Sequence, residues 1–333
     1  MPLSPRTTGT LAAVVTVALW TGFIIVGRAS ASHTLLPFDL ALVRLLGAAM
    51  VLLPWALWLT RAGGPAHDSA SLGGLSPLPW RQTVLTGLFG GLLYSVLCYA
   101  GFFYAPAAHA SVLMPGSLPL WAGFMAVPIL GERLTRARVL ALGCIALGGL
   151  VVGGASLRTA FAGGEVWKGD VIFVCAAMCW SVYGVLARRF ALDAVRATMA
   201  ITAFGTLCYV PLFALGTALG WLPSQLHAAP WSEIMVQALF QGVGVVVLAG
   251  ITFVVMIQYF GPVRTTMLTA LVPGLSALGA VLLLGEPLGW NLLAGLALVT
   301  AGILFGVRAT RQKATDLIAA RAYPASAGAP KQS

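Results

Sequence analysis

The chain has 333 residues, 59% of them hydrophobic and only 8% charged, with 19 Lys/Arg against 9 Asp/Glu for a formal charge of +10. A soluble domain carries about 25% charged residues, so a water-exposed globular surface is excluded and lipid is the solvent this composition fits. The bases sit between apolar runs without clusters of interleaved aromatics, which speaks for membrane topology and against nucleic acid as a partner.

About 20 apolar residues cross the hydrocarbon core as a helix. By that measure ten spans are predicted: α1 (10–28), α2 (37–60), α3 (83–104), α4 (107–130), α5 (137–155), α6 (169–188), α7 (196–219), α8 (233–258), α9 (263–284) and α10 (290–308). Arg6, the run Leu11 to Val26 and Ala29-Ser30-Ala31 have the outline of a signal peptide. That run has a counterpart later in the chain, so it reads as a structural span. The connection from Arg61 to Arg81, rich in Gly, Ser and Pro, reads as a flexible loop. The polar tail after Arg308 reads as disordered near its end.

Bases favour the cytoplasmic side of a membrane. With the N-terminus inside, fifteen Lys/Arg fall on the inner side and three (Arg28, Arg158, Lys168) on the outer, with Arg44 left inside α2. Both termini are therefore expected in the cytoplasm, in a bacterial inner (plasma) membrane.

The chain repeats itself. Trp20 and Arg28 in α1 recur as Trp180 and Arg188 in α6 at the same eight-residue step, and Pro119 and Glu132 recur as Pro273 and Glu286 at a step of thirteen. Each unit holds five spans, an odd number, so the second must run upside down relative to the first. The expected fold is an all-α integral membrane protein of ten transmembrane helices in two inverted five-helix repeats. Residues 1–160 form the first repeat, 161–310 the second and 311–333 a cytoplasmic tail. Inverted repeats are the architecture of alternating access to a midplane site.

Other chemistries find little support. Cys98, Cys144, Cys175, Cys179 and Cys208 lie in apolar runs, without the neighbouring ligands a metal needs. The spans offer no buried acid–base constellation for an intramembrane enzyme, and no GxxxxGK[ST] loop for ATP is present. No metal or cofactor is expected. Polyamines would want buried carboxylates, and nucleotide sugars more bases than Arg44.

LVRLLGAAM in α2, FFYAPAAHASVL leading into α4 and the two Pro–Gly-Glu segments resemble the drug/metabolite transporter superfamily, specifically its EamA-type ten-helix exporters. The resemblance covers roughly residues 10 to 308, and the load of Trp, Tyr and Met points to the branch of YddG-like aromatic amino-acid exporters. It implies a secondary transporter exporting aromatic or neutral amino acids and similar small metabolites, with drugs or nucleobases as the alternative cargo. Partners are then a small-molecule substrate, the bilayer and, at most, a weak homo-oligomer.

On the helices expected to line a cavity, the candidate substrate contacts are Trp20, Tyr94, Tyr99, Ser117, Trp121, Trp180, Tyr183, Thr252, Gln258, Thr265 and Thr269. Rings stack on an amphipathic solute while hydroxyls and amides bond its polar end. Trp55, Trp58, Trp80, Trp221, Trp231 and Trp290 lie at span ends and read as interfacial belts.

Arg44 is the one base well inside a span. It reads either as functional or as a structural arginine paired with Asp39 or helix-end carbonyls. His109, at the start of α4, reads either as the one histidine that could titrate usefully or as a wetted helix-end histidine, and Glu132 and Glu286 as helix caps or partners of nearby bases. Pro115, Pro119, Pro273 and Gly274 weaken their helices and are candidate hinges. Gly149/Gly153 in α5 and Gly302/Gly306 in α10 form GxxxG pairs expected to pack these helices together. No Asp or Glu lies in mid-span, which favours uniport or exchange, or coupling through end-of-helix groups.

Overall fold

Lipid cannot hydrogen-bond the backbone, so each crossing must satisfy its own peptide groups as a helix. The structure, a computed structural model describing residues 5–63, 65–160 and 163–322, has ten such helices among the described residues. They are α1 (Arg6–Ser32), α2 (Pro37–Arg61), α3 (Trp80–Tyr104), α4 (Ala107–Leu130), α5 (Arg136–Arg158), α6 (Val166–Arg189), α7 (Ala194–Ala218), α8 (Trp231–Gly261), α9 (Arg264–Leu284) and α10 (Trp290–Arg308). The expected boundaries lie within a few residues of these. The helix of α10 continues to Ala322, into the polar tail; the end of that tail, residues 323–333, lies outside the described residues.

The packing is symmetric under exchange of the two halves. α1 packs on α8 and α9 as α6 packs on α3 and α4; α2 packs on α8 as α7 packs on α3. The self-related pairs α2–α7 and α5–α10 also touch. Two five-helix units related in this way, each of odd span number, are inverted repeats.

Close backbone approach holds the self-related pair α5–α10. A Cβ on Gly148 would lie 2.6 Å from the Gly295 carbonyl oxygen, and one on Gly302 would lie 2.7 Å from that of Ala141. The seam therefore uses Gly148, Gly295 and the expected Gly302, with Gly306 also against α5 at the Ala141 side chain, whereas a Cβ on Gly149 would meet Leu113 of α4 and one on Gly153 would approach Asp170 of α6. Outside, Trp58, Trp80, Trp221, Trp231 and Trp290 are exposed at span ends, where an indole sits at the headgroup level.

The 61–81 connection is not free chain. Ser71 and Ser76 pair through both backbone N–H groups at 2.9 and 3.2 Å. Thr60 Oγ1 donates to the Gly74 carbonyl at 2.9 Å, Ser71 Oγ to that of Leu78 at 2.7 Å, and Ser76 Oγ shares a hydrogen bond with Thr83 Oγ1 at 2.7 Å. Its serines, read as flexibility in sequence, are hydrogen-bonding groups that tie the loop to α2 and α3.

Three spans widen locally into π-helix: Gly87–Leu93 in α3, Val112–Gly116 in α4 and Ala238–Leu248 in α8. Such widenings recur at functional sites. Pro115 lies in the α4 widening, and Pro119 follows it at the start of the regular segment Leu118–Leu130. Pro273 falls in the first turn of the segment Leu271–Leu284. Pro119 and Pro273 thus sit where a missing N–H costs no helical bond.

Candidate functional site

A cavity of about 460 Å³ lies between the halves. Around it the helices present Trp20 and Phe23 (α1), Arg44 (α2), Tyr94 (α3), Trp180 and Tyr183 (α6) and Phe253 (α8). Neighbouring rings touch in tilted pairs: Tyr94 with Trp180 at 4.6 Å between centroids, Trp180 with Tyr183 at 5.0 Å, and Trp20 with Phe253 at 5.1 Å. The α3 widening supplies Gly90 and Gly91, against which the Tyr183 ring and the α7 backbone at Ile201 pack.

Of the candidate contacts, Trp20, Tyr94, Trp180, Tyr183 and Thr269 line this cavity, as do Arg44, Pro115, Pro119 and Pro273. The rest lie elsewhere. Tyr99 is buried against Phe23 and Phe102. Ser117 donates to the Leu113 carbonyl at 2.5 Å and accepts from the Trp121 indole at 3.1 Å, so both serve their own helix. Thr252 shares a 2.8 Å hydrogen bond with Thr16 and joins α8 to α1. Thr265 bonds the Gly261 carbonyl at 2.9 Å, Gln258 is exposed, and Gly274 lies off the cavity wall. Phe23, Phe253, Thr198, Thr202 and Thr266 line the cavity and were not read as contacts. A signal for two existed: Phe23 is one turn from Trp20, and Thr266 is three residues from Thr269.

Arg44 does not pair with Asp39. Asp39 accepts from the Leu36 N–H at 3.0 Å, the Gln225 N–H at 2.9 Å and Ser224 Oγ at 2.5 Å, anchoring the α7–α8 connection. Arg44 instead lies over the Phe23 ring, its guanidinium carbon 5.0 Å from the centroid, a cation–π contact. His109 is only partly exposed and is held by a carboxylate. Its Nδ1 lies 2.8 Å from Asp170 Oδ1, and Ser156 Oγ donates to the other carboxylate oxygen.

The two repeated glutamates each meet the arginine of the opposite half's first span, on opposite faces. Glu286 accepts from the N–H groups of Ala107 and Ala108 at 2.8 and 2.9 Å, capping α4. It also faces Arg28 Nε at 3.5 Å, while Arg28 Nη1 donates to the Phe102 carbonyl at 2.7 Å. Glu132 meets Arg188, the counterpart of Arg28, and also Arg138 at 2.9 Å. Partial burial pushes the Glu132 carboxyl up, but the bonds from Arg188 and Arg138 outweigh it and hold it below the usual range. Among the described residues Glu132 takes no hydrogen bond from the start of α9, so the two contacts differ where Glu286 caps α4.

The cavity is asymmetric in the same sense. On the face bearing the start of α1 its lining reaches Ala194, the first residue of α7, and Thr266 near the start of α9. Toward the Arg28 face it stops at Arg44 and Met114, each seven residues inside its helix, or about 10 Å. Glu286→Ala, which removes two caps of about 1 kcal/mol each, is expected to loosen that face. With the native cysteines replaced by Ala, a Ser95→Cys probe should then react several-fold faster with an impermeant thiol reagent from the Arg28 side. An unchanged rate would rule that role of Glu286 out.

A polytopic helical protein with a solute-sized cavity between inverted halves has the architecture of a membrane transporter. The chain belongs to the EamA-like transporter family, whose model matches it twice, over residues 7–154 and 167–308. Each match takes in five spans. The chain is similar to the uncharacterized transporter YyaM of Bacillus subtilis (strain 168), 26% identical over 226 residues covering 66% of this chain and 71% of that one. It is also similar to an uncharacterized transporter of Archaeoglobus fulgidus, 27% identical over 203 residues, covering 60% and 65%. A crystal structure with 23% identity shares the fold at a TM-score of 0.58, covering 91% of this chain and 98% of that one.

Proposed function

We propose that this transporter exports small amphipathic metabolites, aromatic and other neutral amino acids foremost, by alternating access in the bacterial inner membrane with both termini cytoplasmic. The halves 1–160 and 161–310 would rock about the cavity. The observation that carries the reading is a cavity of about 460 Å³ walled by Trp20, Tyr94, Trp180, Tyr183 and Phe253, a size and chemistry suited to one ring-bearing solute. Its reach toward the N-terminal face supports an inward-facing state, in which solute enters from the cytoplasm and the Arg28–Glu286 face is sealed.

Purified protein in liposomes should exchange labelled phenylalanine and be competed by other aromatic or branched amino acids. Trp180→Ala removes a ring that touches both Tyr94 and Tyr183. Aromatic pairs contribute about 0.5–1.5 kcal/mol each beyond burial, so exchange is expected to fall roughly tenfold with membrane insertion unchanged. Failure of every aromatic and branched amino acid to move or compete would refute this substrate class.

A further inference from the structure

Arg44 is 94% buried in the wall of the cavity, its relative exposure being 6%. Its Nη1 has no hydrogen-bond partner. The titratable groups around it are Tyr94, Cys98 and Tyr99, phenols and a thiol that carry no charge at neutral pH in their ordinary state. Asp39, the acid nearest in sequence, is occupied by Leu36, Ser224 and Gln225. Among the described residues lining the cavity, Arg44 is the one Asp, Glu, Lys or Arg. A cation buried at this depth is costly unless something supplies the opposite charge, and among the described residues lining the cavity none does.

The geometry points to the cargo as that counter-ion: the cavity takes a monocarboxylate anion with an aromatic or branched apolar body, and an α-amino group is not needed. A carboxylate accepts two parallel N–H bonds from a guanidinium fork. A phosphate dianion would call for more than one base. The rings that wall the cavity receive the apolar end. In an α-amino acid the ammonium sits one carbon from the carboxylate, so binding carries it into the field of Arg44 with no acid in the lining to offset it. Acids with a keto or hydroxyl group in its place avoid that repulsion, and their net inward or outward movement by uniport carries one negative charge per turnover. The inference rests on the proposed role of the cavity as the transport site and, within that role, ranks keto and hydroxy acids ahead of the amino acids proposed above.

The test uses the reconstituted full chain with three matched probes: phenylalanine, phenylpyruvate and phenethylamine. Phenylpyruvate is expected to compete at least tenfold more strongly than phenylalanine, and phenethylamine not at all. An imposed potential of about 60 mV, inside negative, should lower the steady-state interior level of phenylpyruvate tenfold, the shift for one charge. Arg44→Gln should abolish the preference for the acid while the protein still elutes as a folded species. Movement of phenylalanine without competition from phenylpyruvate, or a preference for phenethylamine, would overturn the inference and leave the cavity as the transport site. If none of the three moves or binds, both this inference and the proposed function fall.

Discussion

Replacing Arg44 with Met is expected to cut transport about a hundredfold and, at the same time, to raise the melting temperature of the unliganded protein. The first effect follows from the loss of charge-assisted hydrogen bonds to the cargo, about 3 kcal/mol for a good pair, or roughly two decades in affinity. The second follows from Nη1 having no partner. An arginine in a helix centre costs about 2.5–3.5 kcal/mol on insertion scales, and replacing a buried charge by an apolar side chain of similar volume is often stabilising. Arg44→Lys keeps the charge but loses the planar fork, so it should retain only weak transport. A structural arginine would behave oppositely: Met would lower stability and function together. Melting curves and exchange rates on the same preparations separate the two.

Gly47→Leu is expected to abolish folding. A Cβ at Gly47 would lie 2.4 Å from the Ala238 carbonyl oxygen and 3.0 Å from its carbon, and a Cβ at Gly242 would lie 2.8 Å from the Gly47 backbone. The obstacles are backbone, so no side chain can turn aside, and α2 must separate from α8. Ordinary overpacking costs about 1–3 kcal/mol, and contact with rigid backbone places this case above that range. The folded peak in size-exclusion chromatography should be lost. Gly274→Ala is the matched control. A Cβ there meets nothing within 4 Å, and Ala is the better helix former, so wild-type yield and transport are expected. A large transport defect in that control would instead mark Gly274 as a hinge.

How far each feature could be read in advance depends on what fixes it. Helix positions were legible because an apolar run of about 20 residues in lipid has one stable conformation. The paired Trp20/Arg28 and Trp180/Arg188 carried the repeat, and the symmetric packing follows from it. The cavity contacts were harder. A soluble helix shows its buried face as a polar–apolar stripe, whereas a span apolar all round has no such phase. Neighbouring residues on a helix point about 100° apart, so Thr252 tethers α8 to α1 while Phe253 faces the cavity. Thr265 bonds its own helix while Thr266 lines the wall. The π-helical widenings in α3, α4 and α8 shift the phase again. Arg44 and Asp39 are five residues apart, about 140° around the helix at 3.6 residues per turn, which is why they serve different sites.

The sequence by itself determined the solvent, the number of crossings and the antiparallel relation of the halves. Those depend on composition and on the parity of the repeat, which need no knowledge of neighbours. Only the tertiary structure decided which rings meet across the cavity, that Glu286 caps α4, and that Arg44 stands without a carboxylate among the described cavity-lining residues. These depend on the rotation of each helix about its own axis, which in lipid is set by packing against the other helices rather than by any amphipathic pattern along the chain.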